Sequence, residues 1–295
     1  IRVFTPTNDY VKVNYINYNQ ALTIDPANLF KSKGIKKWQK FVSRFSDQLS
    51  LQVGNRLLSL AGYKAYNPFL KTEDDAAIIF TNNALTNTFF FNRTSSKWGL
   101  DYNYFASNGK QLLNFGIENT SNAQHTGRLR WNISKSFTFI TAQKSGYKRF
   151  SSPFSDNRSY HVDELSTEPS LTWLNRSVLR ITTSYKFEER RNKDLYGGQY
   201  AKIQTINLEF RFSKPATGAI QLKGAYSNIY YDGAANTSVS FIMLDALQNG
   251  SNYLWGMTWD RKVGKGIEVS LEYEGRVPGD NPAIHTGRMS LRAIL

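Results

Sequence analysis

Three histidines, His125, His161 and His285, are the only imidazoles in 295 residues, and there is no cysteine. That removes disulfides and thiolate metal sites and leaves few groups for nucleophilic or metal chemistry. The histidines are scattered, with no HExxH, no pair at metal-ligand spacing and no GxSxG. Ser159 and His161 are the one local nucleophile–base candidate. Proximity at i, i+2 is common along any extended chain, so the pair carries little. Asp260, Glu272 and Glu274 could serve acid–base work, but Arg276, Arg288 and Arg292 lie close enough in sequence to balance them. GYKAYNP and DLYGGQY read as Gly-aromatic turns, not phosphate loops. The residues therefore point to a protein that is not an enzyme and holds no cofactor or metal.

The charge balance suggests a partner. Lysine and arginine number 37 against 23 acidic residues, a formal net charge of +14. Such a chain attracts polyanions. A basic run, Lys31, Lys33, Lys36, Lys37 and Lys40, concentrates the charge, with no nucleic-acid-binding motif beside it. Its expected partners are anionic lipid headgroups, lipopolysaccharide among them, or an acidic protein, and not nucleic acid.

The elements that must carry these residues are strands. In NYLWGMTWDRKVGKGIEVSLEYEGR (252–276), Tyr253, Trp255, Met257 and Trp259 share one parity. Ile267, Val269, Leu271 and Tyr273 do so across the turn, while the opposite parity is polar. A period of two is that of a β-strand with two unlike faces. The same alternation gives fourteen candidate strands. They lie at 10–24, 40–60, 76–93, 97–106, 110–119, 126–133, 136–148, 160–173, 177–190, 199–213, 219–231, 237–262, 266–276 and 286–295. Only 26–45 has any helical character. No repeat is visible along the chain, and no stretch is apolar enough for a transmembrane helix.

The connections alternate in length. SNGK (107–110), SKS (134–136), NRS (175–177), KPATG (214–218) and GKG (264–266) are tight. Segments 120–126, 149–159, 191–198, 232–236 and 277–285 are longer and polar. Alternating short turns and long loops characterise up-and-down outer-membrane barrels. The alternation treats 237–262 as one strand interrupted at 248–251, puts the basic run in the first external loop, and leaves 61–75 long on the short side. Both ends of the chain should then lie on the periplasmic side, with 1–9 a lead-in to a barrel over 10–295.

Trial registers agree with such hairpins. Glu209 can face Lys223 while Phe212 faces Ile220, and Lys262 can face Glu268 while Trp259 faces Leu271. Glu118 can likewise face Arg128 while Phe115 faces Trp131, and Glu274 can face Arg288 while Glu272 faces Ser290. Cross-strand pairs of this kind contribute about 0.2–1 kcal/mol each.

Two face compositions follow. The apolar stripes hold Trp131, Phe210, Phe212, Tyr253, Trp255, Trp259 and Tyr273, and are expected to meet lipid. The other face holds Arg128, Arg130, Arg180, Lys186, Glu209, Arg211, Lys223, Glu268, Glu272, Glu274, Arg288 and Arg292, and is expected to line a lumen. With Arg276, Asp101, Glu118, Glu188 and Asp260 added, the signs nearly cancel, unlike a channel of strong ionic selectivity. A soluble antiparallel β protein would alternate in the same way. Long strands and the aromatic content, 17 Tyr, 19 Phe and 6 Trp, favour the membrane.

The final strand ends in Met289, Leu291, Ala293 and Leu295 on one parity and resembles the C-terminal strand signal of bacterial outer-membrane barrels, with Leu in place of the usual Phe. LQNGSNYLWGMTWDRK, YEGR and IHTGR, with RFSDQ, YNPFL, FFFNR and EPSLTWL, resemble the C-terminal region of large outer-membrane proteins of Bacteroidota. That resemblance spans most of the chain. It implies an outer-membrane location and a longer polypeptide with an upstream region, and it brings no assigned activity.

The expectation is an all-β, antiparallel, up-and-down transmembrane β-barrel of about 14 strands (12–16). It would act as a non-enzymatic membrane anchor, or as a translocation or assembly component of a cell-envelope complex with protein partners. The alternatives are a solute channel or transporter and a soluble β-rich binding protein.

Overall fold

The computed structural model describes residues 10–30, 36–59, 75–153, 158–176, 178–214, 217–263 and 266–293. Thirteen strands form one antiparallel sheet in strict sequence order. They are β1 (Asn14–Ile24), β2 (Phe45–Leu57), β3 (Ile78–Phe91), β4 (Trp98–Leu113), β5 (Gly116–Asn132), β6 (Phe137–Ser151) and β7 (Tyr160–Asn175). After these come β8 (Leu179–Asn192), β9 (Tyr200–Lys214), β10 (Gly218–Asp232), β11 (Gly250–Val263), β12 (Ile267–Pro278) and β13 (Ile284–Ala293). Two short helices, α1 (Lys37–Val42) and α2 (Ser238–Met243), lie in connections. No described helix is long and apolar enough to cross a membrane. The sheet is all-β and up-and-down, with most strands far longer than the five or six residues of ordinary sheets.

The count is thirteen because three of the fourteen expected strands are two. SNGK (107–110) is not a turn. Asn108 and Gly109 are extended inside β4, opposite Asn83 and Asn82, and Lys110 N donates to Thr81 Oγ1 at 3.1 Å. The reversal comes later, at Gly116, whose φ of 130° only glycine adopts freely. Segment 120–126 is likewise mid-strand in β5 rather than a loop. The pairing of Glu118 with Arg128 therefore fails: Glu118 faces Gln111 and Arg128 faces Asp101. Two of the other three hairpins hold in full: Glu209 faces Lys223 and Phe212 faces Ile220, while Lys262 faces Glu268 and Trp259 faces Leu271. In the last hairpin the register is two residues from the expected one: Glu272 faces Arg288 and Glu274 faces Thr286.

An odd count changes the polarity. The connections 92–97, 133–136, 176–178, 215–217 and 264–266 share one end of the sheet, the short-turn end. The connections 152–159, 193–199, 233–249 and 279–283 share the other, the long-loop end, and 58–77 joins them there. The connection 25–44, with Lys36, Lys37 and Lys40, lies at the short-turn end, so the basic run is not among the long loops; Lys31 and Lys33 fall outside the described residues. β1 and β13 run in the same direction, so Asn14 and Ala293 lie at opposite ends rather than on one side. Residues 1–9 and Leu295 also fall outside the described residues. Among the described residues no ladder joins β1 to β13, and all ten residues of β13 are exposed.

Candidate functional site

The two faces of the sheet are built in opposite senses. Following the registers from strand to strand, Trp131, Phe210, Phe212, Tyr253, Trp255, Trp259 and Tyr273 all fall on one face. That face is uncovered: Trp131 and Leu208 are each 54% exposed and Met289 68%. Arg128, Arg130, Arg180, Lys186, Glu209, Arg211, Lys223, Glu268, Glu272, Glu274, Arg288 and Arg292 all fall on the other. The buried side chains of β7 to β10 lie on this charged face too, among them Val162, Glu164, Glu188, Arg190, Ile203 and Ile229. A protein folded in water buries its apolar face and leaves charges outside. Here the apolar face is bare from β4 to β13, and from β7 to β10 it is the charged face that holds the buried side chains.

The limit of the apolar face follows a slope. One line of cross-strand partners runs Tyr102, Gly127, Gln143, Thr167, Phe187, Gln204. Going from it towards the long-loop end, the first ionised side chain on this face is Lys110 on β4, eight residues on. It is Arg149 on β6, six on; Asp163 on β7, four on; Glu189 on β8 and Lys202 on β9, two on each. Six residues of stagger across five strands corresponds to strands tilted by about 40° from the normal to that boundary. On β9 the uncharged stretch runs from Lys202 to Lys214, about 40 Å of strand and about 30 Å of height at that tilt. Aromatic side chains mark both limits, with Tyr185, Tyr226 and Tyr253 towards the long loops and Trp98, Trp131 and Trp173 towards the short turns. The pattern is poorest on β2 and β3, where Asp47 lies on the same face and accepts from Asn87 Nδ2 at 3.0 Å.

On the charged face, the β10–β11 connection folds back over the sheet. Thr237 caps α2: its Oγ1 accepts from Ser240 N at 3.0 Å, and Ser240 Oγ accepts from Thr237 N at 2.9 Å. Val239 and Met243, four apart on one helix face, pack with Leu244 against Val162, Ala201, Ile203, Ile229 and Tyr231. Thus 237–262 is not a single strand. Val239, Phe241 and Met243 mimic period two, but the Thr237 cap and the i, i+4 pair make a helix that the long connection can lay on the wall.

Arg190 holds that helix down. Its guanidinium is almost wholly buried, and Nη1 donates to the carbonyls of Ile242 and Met243, both at 3.0 Å. Those carbonyls belong to the open C-terminal end of α2, where a cation is favoured. Nη2 reaches Asp245 Oδ2 at 2.6 Å and Glu188 Oε1 at 3.0 Å. Asp245 and Ala246 both have positive φ, 51° and 63°, a tight reversal that brings the carboxylate back to Arg190. Behind Arg190, the buried Glu164 takes Lys144 at 3.1 Å and Lys148 at 2.6 Å, and Glu188 takes Lys186 at 2.8 Å. Each buried charge thus has a partner, which desolvation demands. Burial pushes the Asp245 carboxyl up, but the Arg190 hydrogen bond and charge, with Lys148 and Lys186, outweigh it and hold it below the usual carboxylate range.

Two buried asparagines brace the neighbouring loops. Asn192 Oδ1 accepts from His161 N, and its Nδ2 donates to Tyr196 O and Gln199 Oε1, both at 2.7 Å. Asn252 donates to Gln248 O and accepts from Gln248 N and Gly279 N, tying the β10–β11 and β12–β13 connections together. A cavity of about 680 Å³ lies on the charged face between Glu168, Glu209, Lys223, Glu274 and Arg276.

The candidate catalytic groups do not assemble. Ser159 Oγ accepts from Ser152 N at 3.1 Å, and the His161 ring lies 3.5 Å from Asp163 Oδ1 and packs on Tyr147. Among the described residues no hydrogen bond joins Ser159 to His161, and no group of acidic and histidine side chains could hold a metal. Glu272 pairs with Arg288 at 4.0 Å, and Asp260 is taken by Ser270. Arg190, Glu164 and Asp245 escaped sequence reasoning, because nothing in their spacing shows that a loop 50 residues on returns to cap them. No protein-family model matches the sequence, and no curated protein does.

Proposed function

We propose that this chain forms part of the wall of a bacterial outer-membrane β-barrel and serves, without catalysis, as membrane anchor or as a translocation or assembly component of a larger envelope complex. The observation that carries the reading is the inverted sheet. An apolar face bounded by sloping charge and two aromatic rows is left bare, while charged side chains are buried behind it. Every main-chain group in lipid must be paired. β1 and β13 are parallel, whereas the strands of such walls are antiparallel and even in number in bacterial single-chain barrels. Strands beyond the thirteen therefore complete the wall. The folded β10–β11 loop and its ion network narrow the interior, which favours a structural or gated lumen over a wide pore.

The cavity on the charged face favours a second reading, solute passage along that face. One experiment separates the two. Gentle extraction from native membranes, followed by identification of what co-purifies, is expected to yield stoichiometric envelope proteins. Absence of partners with high conductance in planar bilayers selects the channel. A chain that shows no heat-modifiable migration on gels and stays outside vesicles defeats both.

A further inference from the structure

The sheet contains the same hairpin twice. Leu100, Asp101 and Tyr102 on β4 face Leu129, Arg128 and Gly127 on β5, within HTGRL. Leu271, Glu272 and Tyr273 on β12 face Met289, Arg288 and Gly287 on β13, within HTGRM. The side chains match as well as the letters. Tyr102 Oη and His125 Nδ1 are 2.7 Å apart, and Tyr273 Oη and His285 Nδ1 are 2.8 Å apart. Arg128 pairs with Asp101, and Arg288 with Glu272. A Cβ at Gly127 or Gly287 would meet no atom within 4 Å, so both glycines leave an open notch beside the tyrosine. The two units lie eight strands apart and run in the same direction.

They differ in one respect. β5 has β6 on its second edge, and β13 has no second neighbour among the described residues. We propose that the free edge of β13 is an acceptor site for an antiparallel strand patterned like β6, supplied from outside the thirteen strands; this rests on the membrane-wall reading above. In the occupied copy, Arg128 faces Ala142, Gly127 faces Gln143, Thr126 faces Lys144 and Arg130 faces Ile140. The chemistry explains the choices. A small neutral residue beside Arg128 leaves the guanidinium free to pair with Asp101, and an uncharged residue stands opposite the open glycine. Transferred to β13, the occupant presents a small neutral residue to Arg288, a long neutral one to Gly287 and a cation to Thr286. The other free edge, β1, cannot be this occupant. It runs parallel to β13, and so does the β1 or β13 of any second copy inserted in the same sense. Strand addition of this kind takes affinity from main-chain hydrogen bonds and register from alternate side chains.

The chain has no cysteine, so introduced thiols report alone. The probe is a synthetic peptide of residues 137–151. With R288C in the chain and A142C in the peptide, the disulfide is expected about tenfold more often than with peptide cysteines at 140 or 144. S290C with I140C should repeat the preference through a second, exposed position. Equal yields at all three peptide positions, equal yields with a scrambled peptide, or an intramolecular disulfide from S290C to N19C on β1 would overturn the proposal. The same assay is run on folded chain in detergent, and heat modifiability is scored separately. Loss of lipid insertion then counts against the membrane reading, and loss of register preference counts against the acceptor edge.

Discussion

Arg190 and Asp245 stand 55 residues apart in sequence and 2.6 Å apart in space, and their contact fastens a helix to the charged face of the sheet. The arginine is 3% exposed, with Glu188 and Glu164 beside it at 2% and 3%. Its removal takes one cation from each of two buried carboxylates, leaving Glu164 and Glu188 to their lysines, and strips the carbonyl end of α2 of its donor. We expect R190A to lower unfolding stability by about 3–5 kcal/mol, the usual cost of breaking a buried charge partnership. Residues 233–249 should become the first site of limited proteolysis. An unchanged denaturation midpoint with a protease-resistant loop would show that apolar packing of Val239 and Met243 alone seats the helix.

The pH dependence of the same contact has a definite sign. The Asp245 carboxyl is depressed in the folded chain, so its contribution is fully present above its unfolded pKa of about 3.9. It is lost as pH falls through the lower, folded value. The loop should therefore stay seated from neutral pH down to about pH 4 and loosen only below that. Proteolysis of 233–249 followed across the pH range tests this, with D245N loosened already at neutral pH. Loop release between pH 5 and 6 would assign the latch to another group.

At the edge hairpin the register selects the sensitive position. Glu272 faces Arg288, while Glu274 faces Thr286. E272K places two cations opposite each other, and E274K does not. Both members of the Glu272–Arg288 pair are largely exposed, so the difference should be about 1 kcal/mol or less. It should be visible as a lower yield of heat-modifiable protein for E272K than for E274K. The opposite ranking would contradict the register.

Trp255 lies over the backbone of Gly275 on the apolar face, where a Cβ would come within 2.2 Å of the indole. Aromatic cover over a strand glycine pins register and fills the missing side chain. G275A should eject the ring, shift tryptophan emission and destabilise β11–β12 pairing by about 1–3 kcal/mol, as overpacking does. Unchanged emission would mean that the ring rotates away at no cost.

Much of this was legible in the sequence, because period two is a local signal. The assignment of Trp131, Phe210 and Tyr253 to one face and of Arg128, Glu209 and Lys223 to the other needed only alternation. Strand ends were harder. SNGK carries turn residues yet is extended, since its neighbours Thr81 and Asn82 pair it on the adjacent strand. That one misplaced turn reversed the polarity of everything before it, including the basic connection. The α2 latch was beyond reach for another reason. Whether a long connection stands free or folds onto the wall depends on contacts such as Arg190 with Met243 O, which no local pattern encodes. The duplicated hairpin hid because only two short patches on each strand pair repeat, and their likeness emerges once Tyr102 is seen opposite Gly127 and Tyr273 opposite Gly287.

The sharpest test of the membrane reading uses one apolar-face residue. Leu208 is 54% exposed and lies midway between Lys202 and Lys214 on β9. In water, a charge at so exposed a site changes stability by about 0.5 kcal/mol or less. At the middle of a bilayer, arginine on the lipid face of a barrel costs about 2–4 kcal/mol. L208R should therefore fold in detergent and lose most of its folded yield in vesicles. T258R supplies the control, on the charged face of β11. Thr258 faces Glu272 on β12 and Gln221 on β10, and an arginine there gains an ion pair instead of a lipid contact. The expected result is a vesicle-specific loss for L208R and none for T258R. Equal tolerance of both in vesicles would place the apolar face against something other than lipid, such as a protein surface of matching shape.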